Sequence, residues 1–290
     1  MWILVLLVGC EPAQALTAEP QPVPAPTPTA VAASPRTRPQ RYLWLNGSAE
    51  PLAARIAPPK GFERVPLARD SFGAFLRELP LMAPGSPVKS HSGTVLRAAD
   101  HPGVAAVVDL DVGERDLQQC ADAVMRLHAE WLLSHDKSET IAYHVSSGKL
   151  MQWSRWAAGE RPRVEDQRIL LSMSARPDDS RRSFRSYLDF VFGYAGTGSL
   201  AKYSATVKRD HLAPGDFFVL PGNPGHTVLV LDLARDRRGR TVALLGQSFM
   251  PAQSFHVLRA PDGIWFDLDV DAVKTPFWPA PFPWSALRRL

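Results

Sequence analysis

The sequence predicts an α+β fold with a mostly antiparallel sheet. Residues 42–192 mix helical and extended patterns. Four short apolar runs then follow one another, at 217–220, 226–233, 242–247 and 255–258. Only tight turns separate them, and connections that short join antiparallel neighbours.

Taken in order, residues 1–9 read as a signal peptide. The apolar run 2–8 is far shorter than the roughly 20 residues a membrane span needs. It ends in Leu7-Val8-Gly9-Cys10, the small-residue pattern that precedes a lipidated cysteine in bacterial lipoproteins. A cleaved secretory signal without lipid is the competing reading. The run lacks a positive n-region, which a start upstream of Met1 would supply. Residues 10–40 form the lipid-anchored linker: every second residue from Pro20 to Pro28 is proline, which blocks helix and sheet hydrogen bonding. Such a segment serves as a semi-rigid spacer.

Residues 41–290 are long enough for a single domain with its own core. A short strand is expected at 42–45. Asp70 is placed to cap a helix with Phe72, Phe75, Leu76 and Leu79 on one face. Residues 103–111 read as a buried strand. Asp116, with Gln119 three residues on, resembles a capping box for a helix over 117–135. Strands at 141–145 and 150–156 flank the turn Ser146-Ser147-Gly148-Lys149, and another lies at 169–173. A helix over 183–192 stops at Gly193-Tyr194-Ala195-Gly196.

Two cysteines occur in the 290 residues. With Cys10 lipidated, Cys120 has no disulfide partner, and an unpaired thiol in an exported protein is a candidate reactive group. The net charge is +4, and no basic stripe carries interleaved aromatics, so nothing points to nucleic acid. The arginines from Arg235 to Arg240 read as a solvated hairpin tip. The histidines show no metal-ligand spacing, and no cofactor is expected.

Chemistry concentrates at Cys120 and His226. A helix N-terminus carries partial positive charge and unpaired N–H groups, which favour a thiolate. An imidazole nearby completes the activation and later protonates a leaving amine. Backbone N–H groups beside the cysteine can form an oxyanion hole. Gly225 leaves room beside His226 for another backbone or a substrate. If the hairpin turns near Arg237-Arg238, Gln247 falls opposite Val228 and shares a face with His226, which makes it the candidate orienter of the ring; a one-residue slip would put Ser248 there instead. Asp232 and His256 are alternatives. Gln119, Asp122, Tyr194 and Thr197 are candidates to line the site, with Gly225.

Gly215-Asp216-Phe217-Phe218 and Gly225-His226-Thr227-Val228 resemble segments of the papain-like amidases of the NlpC and CHAP type. The cysteine segment departs from that pattern, with Gln119-Cys120-Ala121 where those amidases have Asp-Cys-Ser. The resemblance implies a papain-like core, in which the Cys120 helix packs on the sheet, and cysteine hydrolysis of cell-wall peptides. A closer resemblance is to an uncharacterised family of exported bacterial domains, domain of unknown function four-eight-four-six. It is carried by Gln118-Gln119-Cys120-Ala121-Asp122-Ala123-Val124-Met125-Arg126-Leu127, by Val191-Phe192-Gly193-Tyr194-Ala195-Gly196-Thr197-Gly198-Ser199-Leu200 and by Pro224-Gly225-His226. It names no function.

Two readings stay open. One is an envelope-anchored lipoprotein that hydrolyses an amide bond through Cys120 and His226. The other is a catalytically silent papain-like domain that binds a cell-envelope component, with Cys120 a small buried hydrophobe.

Overall fold

The computed structural model describes Met1 and residues 42–45, 47, 49–166 and 168–290. The expected signal peptide, the lipid site Cys10 and the Pro-rich linker lie outside the described residues. Nine strands form the main sheet: β1 (Phe62–Arg64), β2 (Val104–Val107), β3 (Ala205–Thr206), β4 (Phe217–Leu220), β5 (His226–Asp236), β6 (Thr241–Gln247), β7 (His256–Leu258), β8 (Phe266–Asp267) and β9 (Leu287–Arg289). Their order is β3-β9-β4-β5-β6-β7-β2, with β1 on β5 and β8 on β6. Every pairing between them is antiparallel.

The long central strand β5 is buried from His226 to Ala234, as a strand covered on both faces must be. Leu229 and Leu231 pack with Ala121, Val124 and Leu127 of the helical layer. Val228 and Val230 face the other way, into a cluster with Phe218, Leu245, Phe266, Val273 and Phe282. The C-terminal segment after β7 therefore roofs the face that the helices leave open. Burying each of these side chains contributes roughly 1.5–3 kcal/mol.

Six helices are described: α1 (Leu52–Arg55), α2 (Phe72–Arg77), α3 (Cys120–Ser134), α4 (Trp153–Ala157), α5 (Arg181–Tyr194) and α6 (Thr197–Tyr203). Several expectations are corrected. Residues 42–45 form a turn, because the Tyr42 hydroxyl reaches the Phe75 carbonyl and Trp44 Nε1 the Asp109 carbonyl. Ser71, not Asp70, caps α2 by accepting the Ala74 N–H at 3.1 Å. The strand expected at 103–111 is shorter, Val104–Val107. The hairpin at 141–156 keeps its strands only as Ala142–His144 and Leu150–Gln152. Trp153 and Trp156 lie on α4, whose three-residue spacing places both rings on Tyr187 of α5. Gly193 does not end α5, which runs on to Tyr194 before Gly196 opens α6.

Candidate functional site

The start of α3 is set by the chain before it. The Leu117 N–H bonds the Arg115 carbonyl and the Gln119 N–H bonds the Leu117 carbonyl, so residues 115–119 turn too tightly to be helical. Gln119 becomes the cap residue, and Asp122 Oδ2 accepts its N–H at 3.0 Å. Cys120 is consequently the first helical residue, within the first turn as expected. Asp116, the expected cap, instead accepts from Gln119 Nε2 at 3.0 Å and from the Ala252 N–H at 2.6 Å. That ties the turn to the loop after β6.

Beneath the turn lies a charged anchor that sequence reasoning missed. Gln118 is fully buried and donates to the Asp111 carbonyl at 3.0 Å. Its Oε1 accepts from Arg126 at 2.9 Å, and Arg126 is also paired with Asp111 at 2.7 Å and Glu130 at 2.9 Å. The available signal was Arg126 and Glu130 four apart on a helix, interrupting its apolar positions.

The sheet supplies the other half. The last rung between β5 and β6 at this end pairs Leu229 with Gly246. One step on, Val228 falls opposite Gln247, as the hairpin reading expects. The next hydrogen-bonded rung would join Thr227 to Ser248, but β6 ends at Gln247. The Thr227 N–H is directed at the Cys120 sulfur instead. The Ser248 hydroxyl turns to the Gln118 carbonyl at 3.3 Å and the Gln253 carbonyl at 2.8 Å. The first residues of α3 thus occupy the slot between two strand ends.

His226 precedes Thr227 on the same strand. The ring lies on the roofed side. Its Nε2 is 2.8 Å from Gln247 Oε1, and its Nδ1 is buried without a hydrogen-bond partner. Trp278 stacks on it at 4.9 Å and Phe249 meets it edge-on at 4.9 Å.

Burial dominates the electrostatics. It pushes the Cys120 thiol up to about 12, with the Asp122 carboxylate adding to the effect. The N–H groups of Thr227, Ala121 and Cys120 oppose this and do not overcome it. Burial also moves the Asp122 carboxyl well above the usual carboxylate range. His226 is lowered to about 4 by desolvation, against the opposing Gln247 hydrogen bond. At neutral pH the site rests as a thiol beside a neutral imidazole, not as an ion pair.

Cys120 is 5% exposed and borders a groove of about 510 Å³. Gln119, Asp122, Thr197 and Gly225 line it, together with Ser146 and Asn223, which sequence reasoning missed. Tyr194 does not line it: the ring is exposed and packs on Phe190 at 4.6 Å. A Cβ on Gly225 would lie 2.2 Å from Thr197 Oγ1, 2.7 Å from the Gly222 nitrogen and 2.8 Å from the Leu220 carbonyl oxygen. The glycine admits protein atoms here. Asp232 is not near the ring as an orienter; it is buried between Arg64 and Arg77 at 2.7 and 2.6 Å.

No curated protein and no solved structure matches the chain. A family model described as Domain of unknown function (4846) matches residues 52–289, which take in α3, the groove and the whole main sheet. The chain belongs to that family.

Proposed function

We propose that the chain is a cysteine-dependent amide hydrolase of the cell envelope, with a papain-like arrangement of Cys120, His226 and Gln247, acting on cell-wall peptides. The observation that carries this reading is the state of His226. Gln247 holds Nε2 while Nδ1 is left without a partner, and the adjoining Thr227 N–H meets the Cys120 sulfur. An imidazole held at one nitrogen, with the other free of a hydrogen-bond partner, is what a general base requires.

The chemistry follows from the neutral resting pair. A substrate amide carbonyl enters the groove beside Cys120. Sγ attacks the carbonyl carbon as its proton moves to His226 Nδ1, and an S–C bond forms. In this reading the N–H groups of Cys120 and Ala121, which now act on the sulfur, receive the developing oxyanion. The proton then passes to the leaving nitrogen, the C–N bond breaks and a thioester remains. Water, deprotonated by Nδ1, releases the acid and restores the thiol. Export and a lipid on Cys10 are part of the proposal, on the strength of Leu7-Val8-Gly9-Cys10 and the proline spacer.

One observation favours a second reading, a silent domain that binds an envelope component in the same groove. A thiol at about 12 is a poor nucleophile until it is deprotonated. The test uses the full chain, wild type against Cys120→Ser, with purified cell walls. Release of soluble peptides by wild type and its loss in the variant support hydrolysis. Equal retention on the walls with no release by either protein supports the binding domain.

A further inference from the structure

We infer that His256, acting through Gln247, is a positioning residue that fixes the tautomer of His226, with the proton on Nε2 and the lone pair on Nδ1. Its catalytic consequence rests on the hydrolase reading above; the tautomer itself does not.

The argument starts from a group with no choice. The Ser254 carbonyl can only accept a hydrogen bond, and His256 Nδ1 lies 3.0 Å from it, so Nδ1 of His256 carries a proton. A neutral imidazole has one N–H, which leaves His256 Nε2 as an acceptor. That nitrogen is 3.4 Å from Gln247 Nε2, whose amide N–H donates to it. The orientation of the Gln247 amide is thereby set, and its Oε1 faces His226 Nε2 at 2.8 Å. An oxygen accepts, so His226 must donate from Nε2. Its Nδ1, which has no partner, keeps the lone pair.

The sheet places the three side chains in a row. Gln247 and His256 are cross-strand partners on β6 and β7, and His226 begins the adjacent β5. The row is roofed by consecutive residues of the C-terminal segment: the Phe277 ring meets His256 at 5.8 Å and Trp278 stacks on His226. Phe277 holds a left-handed φ of 73°, which is strained for a non-glycine residue. Burial lowers His256 to about 4, as it does His226, so both rings are neutral at pH 7. Arg97, His226 and His101, the charged or titratable groups acting on His256, also oppose its protonation. A charged His256 would donate from both nitrogens, turn the Gln247 amide over and reverse the proton on His226.

The test is nitrogen NMR of the full chain with 15N-labelled histidine, which reads ring tautomers whether or not the protein is active. Wild type is expected to show His226 with a bare Nδ1 and a protonated Nε2. His256→Phe removes the acceptor that orients Gln247, and His226 is expected to become a mixture of tautomers. His256→Gln, which can accept from Gln247 and donate to Ser254, is expected to restore a single form. A proton on Nδ1 of His226 in wild type overturns the inference, as does an unchanged single tautomer in folded His256→Phe. Loss of peptide release with the expected tautomers intact would count against the hydrolase reading alone.

Discussion

The N–H of Thr227 is directed at the sulfur of Cys120, in the position where the next strand residue would have continued the ladder. A helix start replaces a strand end. This single substitution of partners brings a thiol to the residue beside His226. It also explains the thiol's burial, since a ladder position in the middle of a sheet is closed on most sides.

Thiol reactivity should follow from that burial. Alkylation of Cys120 by iodoacetamide is expected to be slow throughout and to rise about tenfold per pH unit between about pH 6 and 9, because the thiolate fraction stays small well below 12. Asp122→Asn keeps an oxygen for the Gln119 N–H and removes the carboxylate that opposes ionisation. Its labelling rate should rise at the alkaline end. Fast wild-type labelling at neutral pH would show the thiol to be activated at rest.

Acid should destabilise the fold through its buried histidines. His226 and His256 are lowered to about 4 from an ordinary value of 6.5. The unfolded chain therefore binds more protons in that window. Stability is full above pH 6.5 and falls as pH drops towards 4, by about 3 kcal/mol per ring at most. Urea midpoints measured against pH should show this slope, and His256→Gln should flatten it.

Gly225→Ala should be costly for a defined reason. The new Cβ meets both a side-chain oxygen and two backbone atoms. Overpacking of this kind costs about 1–3 kcal/mol. Adding Thr197→Ala should recover only part of the loss, since Gly222 and Leu220 present backbone that cannot be trimmed away. Full recovery in the double variant would mean the backbone contacts carry no strain.

The anchor under α3 gives a larger effect. Arg126→Met leaves Glu130 and Gln118 without their buried partner, although Arg181 still reaches Glu130 at 2.7 Å. A loss of about 3–5 kcal/mol in denaturant unfolding is expected. A loss below 1 kcal/mol would show that the network does not hold the turn before Cys120.

Strongly patterned features were legible in the sequence. The four apolar runs became β4 to β7, because their turns are too short for anything but antiparallel neighbours. Register arithmetic named Gln247 as the residue beside His226, but the strands reach that pairing only through the bulge between Val230 and Asp232, which no pattern in the sequence marks. Where tertiary contacts overrode local preference, legibility failed. Tyr42 and Trp44 fit a strand but spend their polar atoms on α2 and on Asp109. Asp116 has the ideal chemistry for a cap, yet it serves the Ala252 N–H across the molecule. The roof over His226 and His256 comes from Trp278 and Phe277 respectively, in an irregular, proline-rich stretch near the C-terminus with no periodicity to read. The resemblance reached the family and no further.

The central claim is that Cys120 attacks an amide carbonyl with His226 as base, and intact-mass spectrometry of the full chain tests it most directly. After brief exposure to cell-wall peptides and acid quenching, wild type is predicted to carry an acyl adduct on Cys120. Cys120→Ala should carry none, and His226→Gln far less. Unmodified wild-type protein that still binds the walls as tightly as Cys120→Ala would contradict the account.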